Sequence, residues 1–297
     1  MKNTILGLLK LTRFNEYVYF VIVTTLLGVA AAAGQLGWQM VVVVIANWFA
    51  VGFAFMINDV EDAPDDALSD NKIKRNPVSA GLITPKTARI ASFTAAVIAL
   101  GLFTLLGWKV FIIGLSTLIL GFIYSQRGIR LKTIAFFDLI SHCLMLAGLQ
   151  FLTGYFTFLG QFNDNWYFPF LFVVCVSLYG ELFNEMRDIE GDREAQLRHT
   201  AIVLGEKKSH IIMIGILSIG VLSGGITFFF LDILPGWVVI LMAILAVIFI
   251  VPTLLRVKKT DSSLQIQAPT HKPLERAGAI ALLMQFIIPV LVKLFTH

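Results

Sequence analysis

Charge is scarce in this chain. Only 14% of its 297 residues are Asp, Glu, Lys or Arg, where an ordinary soluble domain carries about 25%. With 57% hydrophobic residues and a strongly positive mean hydropathy, that scarcity excludes a water-soluble protein. It points to an all-α integral membrane protein. Cysteine is scarcer still. Cys143 and Cys175 are the whole complement, both in apolar stretches, and they support neither a disulfide framework nor a zinc site. The amino-terminal segment MKNTILGLLKLTRFNEY also lacks a small-residue cleavage site. It reads as an amphipathic lead-in to a first span rather than a cleaved signal.

Long apolar runs are what the chain has instead. A bilayer core takes about 20 apolar residues per helix. Nine stretches qualify: residues 17–33, 37–57, 88–106, 109–125, 134–159, 166–184, 209–231, 235–255 and 277–295. They consume nearly the whole chain, so residues 1–297 are expected to form a single polytopic domain. The fifth is long and contains Asp138 and His142, which makes it the least regular. Basic residues fall unevenly between the spans. Of the 23 Lys and Arg, 21 precede span one or lie in the connections after spans two, four, six and eight, the last including Lys258 and Lys259. Only Lys109 and Lys293 lie on the other side. The positive-inside rule then predicts a multi-pass plasma-membrane protein. Its amino terminus and four long connections are cytoplasmic and its carboxyl terminus is outside. The net charge of +4 belongs to these loops and does not indicate nucleic acid.

Two acidic clusters break the apolar pattern, both on the predicted cytoplasmic side. The first reads Asn58-x3-Asp62-x3-Asp66 with Asp59 beside it; the second reads Asn184-x3-Asp188-x3-Asp192 with Glu185 beside it. Each follows an even-numbered span and precedes a basic loop, KIKRNPVSAG or RHTAIVLG, giving a weak internal repeat. Positions i, i+4 and i+8 share one helix face, each about 6 Å from the next. Like charges at that spacing destabilise a helix, and uncompensated carboxylates at a membrane edge cost several kcal/mol each in order of magnitude. A cation must neutralise them. Hard oxygen donors suit Mg2+, with Mn2+ the alternative, and Mg2+ completes its shell with phosphate oxygens and water. Two such rows with basic loops describe a metal-bridged diphosphate site. One cluster alone would equally suit a solvated surface; the matched pair argues against that.

These motifs are similar to those of the UbiA-type superfamily of intramembrane prenyltransferases. The family's first motif, N-D-x2-D-x3-D, matches Asn58, Asp59, Asp62 and Asp66. The loop that follows it resembles RNPVSAG, and the Tyr-Ser that ends a fourth span matches Tyr124-Ser125, ahead of Leu131-Lys132. The second motif matches Glu185, Asp188 and Asp192 in EMRDIEGDRE. Three features depart from the family pattern. Glu185 replaces an Asp, the first loop is a few residues longer, and QLRHTAIV retains only Thr200 of a usual G-x-x-TLP.

The resemblance implies a helical bundle around a central cavity, capped on the cytoplasmic side. It implies Mg2+-dependent transfer of a polyprenyl group from a prenyl diphosphate to a hydrophobic acceptor, either a lipid or an aromatic quinone precursor, within the membrane lipid. Asn58, Asp59, Asp62, Asp66, Glu185, Asp188 and Asp192 are then the expected metal ligands. Asp62, Asp66, Asp188, Asp192 and Tyr124 are expected to serve catalysis. Asn58, Lys72, Arg75, Lys132, Asn184 and Arg193 are expected at the diphosphate, where Arg offers a bidentate fork.

Polar residues at membrane depth are site candidates by default. Asp138 and His142 either face the cavity and position or deprotonate the acceptor, or Asp138 pairs locally with His142 or Lys132. Glu181 reads as a deeper cavity residue, with metal ligation the lesser alternative. Arg13 reads as a rim residue or as a snorkelling anchor. A cation transporter is the rival class, since acidic helices also build ion pathways. Against it, the acids sit at span ends among phosphate-ready bases. A CDP-alcohol phosphotransferase would need an Asp-Gly and Ala-Arg motif that is missing, and hydropathy rules out a soluble isoprenyl synthase.

Overall fold

The computed structural model describes residues 2–68, 70–194, 197–256 and 268–296; Lys258 and Lys259 lie outside them. The described residues form helices and no strands. Nine of the helical stretches are long and apolar enough to cross a membrane. Helix α1 (Lys2–Leu11) is the amino-terminal lead-in. It ends at Arg13, whose left-handed backbone (φ 47°) starts α2 (Phe14–Ala31) on a new axis. The second span is α3 (Trp38–Asp66), followed by the short α4 (Asp70–Arg75). The third and fourth are α5 (Pro85–Thr104) and α6 (Trp108–Ser125). Thr84 caps α5 by accepting from the Thr87 amide, and Pro85 occupies the first turn, where no amide is needed.

The fifth span is irregular, as its polar content predicts. It begins with α7 (Phe137–Cys143), widens into a π-helical turn at Leu144–Gly148, and resumes as α8 (Leu149–Phe158). The sixth is α9 (Tyr167–Glu194); α10 (Thr200–Leu204) then leads through Gly205, at φ 75°, into α11 (Glu206–Phe229). The last two are α12 (Gly236–Leu254) and α13 (His271–Thr296).

Packing arranges these helices as an open ring. Helix α2 contacts α3, α8 and α13; α3 contacts α5 and α6; α9 contacts α7 and α11; α12 contacts α13. Two glycines set the α2–α8 crossing. A Cβ on Gly28 would stand 2.1 Å from the Phe151 carbonyl oxygen, and one on Gly154 would stand 2.3 Å from that of Thr25, so only bare backbone fits there. Asn47 of α3 ties the same junction together. It donates to Thr25 Oγ1 (2.8 Å) and Thr153 Oγ1 (2.9 Å) with every partner buried. The outward faces stay apolar: α12 exposes Ile240, Ile244, Val247, Ile248 and Val251. That stripe satisfies a lipid-facing helix and would be a liability in water.

Candidate active site

A cavity of about 1070 Å³ lies inside the ring. Its walls are apolar in depth, with Phe20, Phe172, Phe228 and Leu282 among the lining side chains. Its charged lining comes from the ends of helices α3 and α9 and from their neighbours. Asn58 and Asp62 of α3 and Asn184 and Asp188 of α9 all line it, with Arg75, Tyr124 and Lys132. Seven of the residues expected from sequence therefore share one space. Asp59, Asp66, Lys72, Glu185, Asp192 and Arg193 do not line it.

Each acid of the first row is matched with a base or an amide. Lys132 reaches both Asn58 Oδ1, at 2.8 Å, and Asp62 Oδ2. Arg130 donates to Asp62 Oδ1 at 3.0 Å and to Asp65 Oδ2 at 2.8 Å. Ser125 Oγ donates to Asn58 Oδ1 at 3.0 Å, which makes that amide oxygen the acceptor for both Ser125 and Lys132. Burial pulls the Lys132 ammonium below its ordinary value, against the neighbouring Asp62 charge. For Arg130, burial is outweighed by Asp65 and Asp62, which raise it further.

Asp59 points the other way. It is buried, and its Oδ1 accepts from Arg13 Nη1 at 3.2 Å, while Oδ2 has no hydrogen-bond partner among the described residues. Arg13 also holds Glu16, and Arg75 reaches the same Glu16 at 2.7 Å. Asp66 accepts from Asn76 Nδ2 at 2.9 Å. Asn76 donates as well to the Asp59 carbonyl and accepts from the amides of Val78 and Ser79, folding the RNP loop onto the acidic helix. Lys72 and Arg193 are exposed.

The second row divides in a way the spacing does not reveal. Asn184 and Asp188 face the cavity, and Asp188 is paired with Arg187 through two bonds of 3.0 Å. Glu185 and Asp192 are turned into His199, which bonds Glu185 Oε2 through Nδ1 at 3.2 Å and Asp192 Oδ2 through Nε2 at 3.1 Å. Glu185 also accepts from the Ala201 amide at 2.9 Å. Burial opposes the His199 charge, but the hydrogen bonds and charges of Asp192 and Glu185 prevail and hold it up to about 9. Asp138 is buried and accepts from the Thr200 amide at 2.6 Å and the Leu139 amide at 2.7 Å. It thus anchors α10 and pairs with neither His142 nor Lys132. Donor atoms of Asp138, Glu185 and His199 lie within 4.8 Å of one another.

Deeper in the cavity, Glu181 binds two partners. Tyr124 Oη donates to its Oε1 at 3.0 Å, and His142 Nε2 stands 3.1 Å from its Oε2. Residues outside the expected set also shape the site, among them Arg130, Arg187, His199, Asn76 and Glu16. His199 and Asn76 sit inside loops that the sequence marks only as basic or proline-containing, and Glu16 follows Arg13 by three positions. An isolated His between Arg198 and Thr200 carries no spacing signal, so its contact with both second-row acids is visible only in three dimensions.

Comparison with known proteins gives consistent findings. A model described as the UbiA prenyltransferase family matches residues 21–269. The digeranylgeranylglyceryl phosphate synthase of Natronomonas pharaonis is 27% identical over 226 residues, covering 74% of this chain and 76% of that protein. Two solved structures share the fold. The UbiA homologue from Archaeoglobus fulgidus bound to GPP and Mg2+ superposes with a TM-score of 0.67 at 19% identity, covering 93% of this chain and 99% of that one. The apo UbiA homologue from Aeropyrum pernix gives a TM-score of 0.71 at 15% identity, covering 93% and 98%.

Proposed function

The chain belongs to the UbiA prenyltransferase family, and from that membership we propose that it transfers a polyprenyl group from a prenyl diphosphate to a hydroxyl of a membrane lipid. The observation that carries this reading is the cavity itself. Asn58 and Asp62 from one helix and Asn184 and Asp188 from another line the same space, beside Lys132 and above an apolar wall.

The donor set fits Mg2+. It offers oxygens from two carboxylates, Asp62 and Asp188, and two amides, Asn58 and Asn184, the hard donors that Mg2+ takes. A homologue of the same fold is described with GPP and Mg2+ bound. Asn58, Asp62, Asn184 and Asp188 are the residues we assign to the ion. Bound there, Mg2+ supplies neutralisation of charge on the departing diphosphate. The remaining work falls to the chain's own side chains. Lys132 and Arg75 are placed to take phosphate oxygens, Arg75 by exchanging its Glu16 contact for a bidentate one. The apolar lining holds the prenyl chain and keeps water from the allylic carbon as its bond to oxygen breaks.

A glyceryl phosphate carrying a prenyl chain is the acceptor we favour. The curated relative is named for a product of that kind, and Arg13 and Lys272 add cationic groups to the cavity lining that suit a second phosphate. We place the whole chain in one domain, with the motif loops and amino terminus on the cytoplasmic face. The test is transfer by the purified protein in detergent, with labelled geranylgeranyl diphosphate and Mg2+. Geranylgeranylglyceryl phosphate, 4-hydroxybenzoate and a dihydroxynaphthoate would be offered as acceptors. Labelled product with the first alone supports the proposal; product with only an aromatic acid overturns the lipid assignment.

A further inference from the structure

The cavity holds a hydrogen-bonded carboxylate and imidazole outside the residues assigned above to Mg2+ and the diphosphate. Glu181 and His142 come from facing helices α9 and α7, and both line the cavity with Tyr124 and Ser177. Seven residues separate Glu181 from Asp188 along α9, about 10 Å of helical rise. The pair therefore lies below the diphosphate-binding level, where an acceptor must meet the allylic carbon. Both Glu181 oxygens are occupied, one by the Tyr124 hydroxyl at 3.0 Å and one by His142 Nε2 at 3.1 Å. With Nε2–H donated to Glu181, Nδ1 is left as an acceptor. Ser177 Oγ stands 3.5 Å from it, at the limit of a hydrogen bond. Nδ1 is therefore weakly engaged, on a residue that lines the cavity.

We propose that His142 is the general base that takes the acceptor's hydroxyl proton, and that Glu181 is the positioning residue that fixes its tautomer and stabilises the imidazolium. The inference rests on the transferase reading above. The allylic carbon–oxygen bond breaks and its electron pair leaves with the diphosphate. A lone pair of the acceptor oxygen forms the new carbon–oxygen bond, and the O–H proton passes to His142 Nδ1. The imidazolium then returns that proton to water as product departs. A hydroxyl needs such a base because the ether oxygen cannot keep its proton; a carboxylate that holds one imidazole nitrogen leaves the other to accept it.

The charged and titratable groups around the pair are Tyr124 on α6, Asp138 and Cys143 on α7, and Cys175, Glu185 and Arg187 on α9. His271, Lys272 and Glu275 of α13 line the same cavity. No Lys or Arg contacts Glu181 among the described residues.

The test separates binding from transfer. Wild type, His142→Ala, His142→Gln and Glu181→Gln are compared for Mg2+-dependent binding of geranylgeranyl thiolodiphosphate. They are also compared for the pH dependence of kcat with geranylgeranylglyceryl phosphate. The expected result is unchanged binding, with kcat lowered roughly 10²-fold to 10³-fold. The acidic limb of the pH profile should be absent in the His142 variants, and imidazole should partly restore His142→Ala. Transfer by all variants at the wild-type rate and pH profile overturns this inference while leaving the transferase reading intact. So does equal loss of binding and kcat with no imidazole rescue, which marks a structural role. Wild type that binds no prenyl diphosphate overturns the transferase reading itself.

Discussion

At the scale of single residues, the site is a set of competitions for carboxylates. Asp62 is shared by Lys132 and Arg130, Asp188 is taken by Arg187, and Glu185 and Asp192 are both held by His199. The His199 clasp has a signed consequence for stability. Its folded value is raised from 6.5 to about 9, so its contribution is full below about pH 6.5 and is lost as pH rises through about 9. The unfolding temperature of metal-free protein in detergent should therefore fall across that interval. His199→Gln should flatten the fall. A wild-type curve as flat as the variant's would contradict the clasp. Sequence spacing could not reveal this division of the second row. It places Asn184, Asp188 and Asp192 on one face correctly as helix geometry, but the last of them lies at the helix end, where an incoming loop captures it. The first row was more legible: Asn58 and Asp62 lie a turn apart before the end of α3, and both reach the cavity.

At the scale of elements, close backbone approach fixes the ring more than apolar surface does, because lipid solvates apolar side chains as well as a neighbouring helix would. The α2–α8 crossing depends on Gly28 and Gly154, each against a carbonyl oxygen of the other helix. Gly154→Val should separate these helices, break the Asn47 bonds to Thr25 and Thr153, and lower the unfolding temperature in detergent. The same change at Gly101, where an added Cβ meets nothing within 4 Å, should be near neutral. Equal effects at the two positions would contradict the packing account. Span existence was readable from apolar run length, including the irregularity of the fifth span, whose polar residues sit where helix α7 gives way to a π turn. Span ends were not: α3 continues through the acidic motif to Asp66 and α13 begins at His271. Hydropathy falls before the helix does: the α3 tail carries four Asp and Pro64, poor helix formers, yet it stays helical where Arg130, Lys132 and Asn76 bond its side chains.

At the scale of the whole molecule, two similar acid-ended spans bring their ends to one cavity, whose remaining lining is mostly apolar around the Glu181–His142 pair. In the function proposed above, that arrangement separates a charged reaction at the membrane edge from a water-excluding hold on a prenyl chain. The uneven distribution of Lys and Arg adds a sidedness to it. Single cysteines at Arg127 and at Leu294, in a variant lacking Cys143 and Cys175, should label with a membrane-impermeant thiol reagent from opposite faces of oriented vesicles. Labelling from the same face would contradict the proposed orientation.

The central claim is that the two acidic helix ends form one metal-dependent diphosphate site. Its most direct test is equilibrium binding of labelled geranylgeranyl thiolodiphosphate to purified protein, with Mg2+ or with chelator, for wild type, Asp62→Ala and Asp188→Ala. The account predicts binding by wild type that chelator abolishes, and at least roughly 10²-fold weaker binding in each variant, since each removes a charged ligand from a shared ion. Binding that is indifferent to Mg2+, or that survives either substitution intact, would contradict it.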